Sequence, residues 1–210
     1  TLLNCLSMNV AMVFPENREP DHVAHLIEKY KVNILPASPT FLNLMLIGEC
    51  PAHYDLTSLR MITYGTEPMP ESLLIKLKDA FPRVKFLQTF GTSETGISAT
   101  SSYSSTSTFL KIDDPNTEYK IINGELWLRS KTQIMGYLNS SMERFTDDGW
   151  FKTGDMVEEK DGFIKIIGRN SDIINVGGEK VLPSEVESVL FQMHHVNDCI
   201  VYGENNPITG

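Results

Sequence analysis

The sequence predicts an α/β protein. The expected order is a parallel sheet covered by helices, a small antiparallel barrel-like region, and the start of an α+β C-terminal domain. Three observations carry this. Strand-like and helix-like runs alternate as far as Phe90, the pattern of a parallel sheet with helical crossovers. Short alternating runs follow, punctuated by Asn123-Gly124, Asp148-Gly149 and Asp161-Gly162, which are hairpin-turn pairs. After Gly168-Arg169 come a tight Gly177-Gly178 turn, one helical pattern and an apolar run. The expected units are 1–103, 104–169 and 170–210.

The elements follow in order. Residues 1–14 are apolar and end in Asn9–Phe14, which reads as a buried strand. Asp21 reads as the N-cap of a helix with Val23, Leu26, Ile27 and Tyr30 on one face. Val32–Leu35 reads as a strand. Ser38-Pro39 fits the N-cap and first position of a helix whose apolar side is Phe41, Leu42, Leu44 and Met45. Leu59–Tyr64 is a third strand, broken by Gly65–Pro68, and Pro70 opens a helix through Ala80. Val84–Phe90 is a fourth strand. The Ser/Thr-rich Ser98–Thr108 reads as loop or edge strand. Tyr119–Ile122, Glu125–Arg129, Trp150–Lys152, Met156–Glu158 and Phe163–Ile167 make the antiparallel region. Asp172–Val176 and Glu179–Leu182 flank the double-glycine turn. A helix follows Pro183, with Ser184 and Glu187 as a capping box and Val186, Val189, Leu190 and Met193 as its apolar face; Asn197–Tyr202 reads as a last strand.

Composition narrows the partners. The chain has 210 residues and a net charge of -9, which argues against nucleic acid or an anionic membrane surface as the main partner. Cys5, Cys50 and Cys199 are scattered and odd in number, so reduced thiols and a cytoplasmic setting are expected rather than a disulfide framework. No run approaches membrane-spanning length. Both ends read as cut from a longer chain.

Four segments carry chemistry. Gln88–Gly96 follows a strand and combines two glycines, small hydroxyls, one aromatic and one carboxylate. Phe90 can stack on a base, Gly91 can let backbone approach phosphate, Thr92 and Ser93 can donate to phosphate, and Glu94 can hold a hard cation. Taken alone, an ordinary Thr/Ser turn explains the segment equally well. Gly65–Pro68, at the end of a parallel strand, can wall a ligand cleft; taken alone, an ordinary βα turn explains it better. Asp155, in Phe151–Asp155, can accept from two ribose hydroxyls or simply close a turn. Arg169, in Gly168–Asp172, sits at a unit boundary from which it can reach sugar or phosphate; taken alone, a surface arginine in an ion pair is the better reading.

Together these segments resemble the adenylate-forming (AMP-binding) superfamily of acyl-CoA synthetases, luciferases and peptide-synthetase adenylation domains. Phe90-Gly91-Thr92-Ser93-Glu94 resembles its Tyr-Gly-x-Thr-Glu, and Gly124–Trp127 with Gly136-Tyr137 its Gly-Glu-Leu…Gly-Tyr segment. Phe151–Asp155 is similar to its Tyr-x-Thr-Gly-Asp, and Gly168–Glu187 to its long junction motif. The likeness spans essentially the whole chain.

The resemblance implies roles. Thr66, Glu67 and Pro68 line the adenine side, Gln88 and Thr89 flank the base, and Phe90 stacks on it. Gly91 and Thr92 belong to the same loop. Ser93 contacts the α-phosphate and Glu94 binds Mg²⁺; these two are the catalytic pair. Asp155 holds the ribose hydroxyls with Arg169. Ser171 is a hinge for the mobile C-terminal domain, and Gly178 lies beside the pantetheine. The implied reaction is ATP-dependent activation of a carboxylic acid to an acyl-adenylate, then transfer to a thiol, CoA or a carrier-protein phosphopantetheine. The junction wording Gly-Gly-Glu-Lys-Val favours CoA. A non-catalytic nucleotide-binding or interaction module is the reading of another class. A phosphate loop with its lysine is expected before residue 1 and a catalytic lysine after residue 210, so the piece is expected to be inactive alone. Thr66 stands where the family often has Gly, and Ser171 where it has Asp or Lys.

Overall fold

A computed structural model describes residues 2–204. Helix α1 (Leu2–Ser7) is followed by an irregular stretch, then α2 (Pro20–Tyr30), β1 (Ile34–Ala37), α3 (Pro39–Ile47), α4 (Cys50–His53), β2 (Met61–Tyr64), α5 (Glu71–Ala80) and β3 (Lys85–Gln88). Strands β1, β2 and β3 form a parallel sheet in that order, with Ile34 opposite Met61 and Met61 opposite Lys85. Ser38 caps α3 as expected, its hydroxyl accepting from the Phe41 amide at 3.2 Å. The α2 cap lies at Glu19 rather than Asp21, because Pro20 takes the first helical position, where its missing N–H costs nothing.

The core of this unit gathers Ile27, Leu42, Met45, Ile62, Leu74 and Phe86 between sheet and helices. Each fully buried side chain of this kind contributes roughly 1.5–3 kcal/mol.

The Asn9–Phe14 strand does not form. Asn9 has φ 53°, Val10 and Phe14 are exposed, and no strand among the described residues pairs with this stretch. An apolar run becomes a strand only where a neighbour completes its ladder.

The expected strand Val84–Phe90 splits. β3 stops at Gln88, and β4 (Phe90–Thr92) turns back on β5 (Gly96–Ser98) as a separate hairpin. Next come β6 (Thr100–Ser102), β7 (Leu110–Ile112), β8 (Thr117–Ile122), β9 (Glu125–Ser130), β10 (Phe151–Lys160) and β11 (Phe163–Arg169). These last six form one curled antiparallel sheet, ordered β6-β7-β11-β10-β9-β8, over a second core that includes Leu110, Leu126, Leu128 and Ile164. Asn123-Gly124 and Asp161-Gly162 have positive φ at both residues, as tight hairpin turns require. The two expected runs at 150–152 and 156–158 are one strand, β10, interrupted by register shifts on both sides around 152–157.

Beyond β11 lie a 3-10 turn (Asn170–Asp172), β12 (Ile174–Val176), β13 (Glu179–Val181) and α6 (Pro183–Leu190). No capping box forms. The Ser184 hydroxyl donates to the Ile167 carbonyl, tying α6 to β11, and Glu187 Oε1 accepts from the Val201 amide at 2.8 Å. The expected apolar face of α6 is largely uncovered: Val186, Val189 and Met193 are exposed. Asn197–Tyr202 forms no strand, since no described strand pairs with it.

Candidate functional site

A cleft of about 430 Å³ opens where β2 and β3 end, between the β4–β5 hairpin and strands β10 and β11. Thr66, Glu67, Pro68, Gln88, Thr89, Phe90, Gly91, Thr92, Ser93, Glu94, Asp155 and Arg169 all line it. Residues from four separate stretches of chain thus meet at the carboxyl ends of parallel strands, where open α/β sheets bind ligands.

The strand-end wall is built from constrained backbone. Thr66 has φ 74°, a left-handed conformation that is uncommon for a β-branched residue. Thr89 donates through its amide and hydroxyl to the Tyr64 carbonyl, at 2.7 and 3.1 Å, which locks the two strand ends together. Glu67 lines the cleft, but its carboxylate serves the scaffold. Its oxygens accept from the Thr40 amide at 2.7 Å and the Thr40 hydroxyl at 2.9 Å, anchoring the N-terminus of α3. Gln88 is 5% exposed, and its Oε1 has no hydrogen-bond partner among the described residues. A buried acceptor left unpaired costs about 1–3 kcal/mol until something donates to it. Phe90 is 7% exposed and belongs to the second core, so it offers the cleft only a small part of its surface.

Two of the hairpin residues also serve the scaffold. Gly91 is glycine because of its own hairpin partner. A Cβ there would stand 2.6 Å from the Gly96 carbonyl and 2.7 Å from Ile97 Cα, so no ligand is needed to explain it. Thr92 is likewise occupied: its hydroxyl accepts from the Thr95 amide at 3.0 Å and bonds the Thr95 hydroxyl at 2.9 Å, holding the turn. Ser93 is exposed, and its hydroxyl has no partner among the described residues. Of the two hydroxyls, Ser93 is the one without a partner among the described residues. Glu94 Oε1 accepts from the Tyr137 hydroxyl at 2.7 Å, and Oε2 has no partner among the described residues. The Tyr137 hydroxyl is in turn pushed up by burial and by the Glu94 carboxylate. The Ile134 amide donates to the Glu94 carbonyl at 2.8 Å, so the loop tip is fixed from the barrel side.

The barrel wall carries charge. Thr153 donates through its hydroxyl to the Leu126 carbonyl at 2.7 Å and accepts from the Asp155 amide at 3.0 Å. With the register shifts of β10, these bonds shape the turn that carries Asp155. The Asp155 residue is 7% exposed, and its Oδ1 lies 3.3 Å from Arg169 Nε. Burial pushes its carboxyl up from the ordinary value of 3.8, and the nearby Arg169 only partly offsets this.

Two expected residues stand apart. Ser171 lies in the 3-10 turn, its hydroxyl donating to Asp172 Oδ1 at 2.9 Å, and lines no part of this cleft. Gly178 forms the exposed β12–β13 turn, where an added Cβ would meet nothing within 4 Å. Neither is among the residues that line the cleft.

Arg144 also lines the cleft and was not singled out by its sequence. Its Nη2 donates to the Thr153 carbonyl at 2.6 Å. A usable signal existed in Asp148-Gly149. That turn folds 144–146 back on 150–152, with the Lys152 amide on the Arg144 carbonyl at 2.8 Å.

Comparison with known proteins places the chain in a family. The family model described as AMP-binding enzyme matches residues 1–138. A protein of Humulus lupulus named as a probable CoA ligase is 31% identical over 95% of this chain and 40% of its own length. A 4-coumarate–CoA ligase-like protein of Arabidopsis thaliana is 29% identical over 95% of this chain and 39% of its own. An anthranilate CoA ligase solved with anthranoyl-AMP superposes with TM-score 0.78 at 26% identity, over 92% of this chain and 41% of that one. The ATP-bound MatB of Rhodopseudomonas palustris shares the fold, with TM-score 0.84 at 22% identity over 98% of this chain and 44% of that one. The chain therefore spans about two fifths of the relatives it matches.

Proposed function

The chain belongs to the AMP-binding enzyme family, and on that premise we propose that the full-length protein is an AMP-forming acid–thiol ligase. It activates a carboxylic acid with ATP to an acyl-adenylate, releases pyrophosphate, and passes the acyl group to a thiol. CoA is the favoured acceptor over a carrier protein, since the relatives are named as CoA ligases. The division at 103 and 169 and a cytoplasmic setting belong to the same reading, and no described helix is long and apolar enough to cross a membrane.

One observation carries the proposal. A single cleft holds an unpartnered buried amide oxygen on Gln88, a buried carboxylate on Asp155 and a free hydroxyl on Ser93. These suit, in turn, the exocyclic amine of adenine, the ribose diol and a phosphate oxygen. Gly65–Pro68 and Thr89 flank the base, with the small exposed part of Phe90 against it. Asp155 and Arg169 hold the sugar.

Glu94 fits a cation brought by the nucleotide. It has one free carboxylate oxygen, and no cluster of three metal-ligating side chains exists among the described residues. Mg²⁺ binds in this manner, through one or two carboxylates, water and substrate phosphates. When bound it would neutralise charge building on the phosphates; the chain's own share is to fix the α-phosphorus for in-line attack by the acid. Ser171 as hinge and Gly178 as pantetheine neighbour are parts of the same proposal, and require the C-terminal unit to move.

Acid-dependent pyrophosphate–ATP exchange by the full-length protein tests this. Exchange with at least one carboxylic acid is the expected result; no exchange across a broad acid panel would sink it. The piece alone is expected to show no turnover.

A further inference from the structure

We propose that Arg144 is the side chain that grips the nucleotide's phosphate from the barrel side of the cleft, an inference that rests on the nucleotide reading above. The argument begins with charge. Among the described residues, the carboxylates lining the cleft are Glu67, Glu94, Asp155 and Asp172, and the only cations lining it are Arg144 and Arg169. Arg169 is engaged with Asp155. Arg144 takes part in none of the four ion pairs among the described residues. A phosphate entering a cleft of this composition without its metal ion is repelled unless an uncommitted protein cation receives it, and Arg144 is that cation.

The guanidinium is also held ready. Nη2 is spent on the Thr153 carbonyl at 2.6 Å, and the group lies 5.3 Å over the ring of Phe151, which is 1% exposed and cannot yield. Its remaining N–H donors keep a planar fork suited to phosphate. Gly154 leaves the space: a Cβ there would come within 2.9 Å of Nη2, at a φ of 78° that disfavours any side chain. Arg144 is held, yet its side of the cleft stays open to a ligand.

Position completes the case. Arg144 stabilises charge on both Tyr137, which bonds Glu94, and Asp155. It therefore lies within electrostatic reach of the sugar-binding carboxylate and of the tyrosine that bonds the cation-binding one. In a 5′-nucleotide the phosphate is joined to the ribose by one ester linkage, so it falls between the two carboxylates. The ligand class is a 5′-phosphorylated or 5′-adenylylated adenosine, and Ser93 would contact the same phosphate from the strand-end wall.

The test is a calorimetric titration of full-length protein with adenosine and with AMP, in magnesium-free buffer, for wild type, Arg144→Gln and Arg144→Lys. Wild type is expected to prefer AMP to adenosine. Arg144→Gln should weaken AMP roughly 10- to 100-fold while adenosine changes less than about twofold, the loss of a charge-assisted contact, and Arg144→Lys should fall between. Equal weakening of both ligands would assign Arg144 to holding the Thr153 turn alone and overturn the proposal, as would unchanged AMP affinity. Failure of the nucleotide reading looks different: wild type itself would bind neither ligand.

Discussion

The two walls of the cleft are built on opposite principles. The strand-end wall is backbone held in unusual shapes: Thr66 at φ 74°, Gly91 pressed against its hairpin partner, and Glu67 spending its carboxylate on α3. The barrel wall is charge held in place: Asp155 buried, Arg169 beside it, and Arg144 anchored on the Thr153 carbonyl. The first wall fixes a contour and the second fixes a potential. Shape suits a flat neutral base, and potential suits a sugar phosphate. Substitutions on the two sides should therefore fail differently, the first in stability and the second in affinity.

The largest expected effect is on the shape wall. Gly91→Ala forces a Cβ into backbone atoms at 2.6 and 2.7 Å that have no rotamer to change. Opening the β4–β5 hairpin should cost about 3 kcal/mol, read as a lower urea midpoint. A loss well under about 1 kcal/mol would mean that this wall is more compliant than its geometry implies.

Asp155→Asn should separate stability from affinity. The Asp155 carboxyl is raised by burial, so the folded protein holds the proton more tightly than the unfolded chain. Below the ordinary value of 3.8 the group is protonated in both states and its burial is not penalised as a charge. As pH rises through the folded value that advantage is lost, and at neutral pH a buried anion is being maintained. The exposed Arg169 pays little for losing its partner. Asp155→Asn should thus melt at a higher temperature than wild type at pH 7, with the gap closing toward pH 3.8. Adenosine affinity should fall roughly 10- to 100-fold as charge-assisted bonds to the ribose are lost. A variant that melts lower at pH 7 would make Asp155 a structural carboxylate.

The smallest effect sharpens the shape argument. Thr66→Gly removes a β-branched side chain from a left-handed conformation and should stabilise the fold by about 1 kcal/mol, seen as a rise in melting temperature. A fall would show that the Thr66 side chain repays its strain through contacts.

Local chemistry made much of this molecule legible. Ser38-Pro39 announced α3, the Asn-Gly and Asp-Gly pairs announced hairpins, and strand–helix alternation announced the parallel sheet. Less legible was what each apolar face would meet. The runs 9–14 and 197–202 and the face of α6 have the pattern of buried elements but remain uncovered, since periodicity reports a face and not its partner. The break expected within β10 proved to be register shifts in a single strand, and the break missed after β3 ends at a hairpin that pairs only with itself.

What the sequence determined by itself was the cast of the site: the loop at 88–96, the Thr-Gly-Asp turn, and the arginine after β11. Their residue types already carry the acceptors, donors and carboxylates that a nucleotide needs. Tertiary structure decided who is free to act. It spent Glu67 on Thr40 and Thr92 on Thr95, left Gln88 Oε1 and the Ser93 hydroxyl without partners, and folded Arg144 in beside Asp155. The physical reason is range. Backbone propensity and turn chemistry act over a few neighbours. Whether a polar atom is satisfied, and whether a charge is paired or buried, depends on groups that only the folded chain brings together.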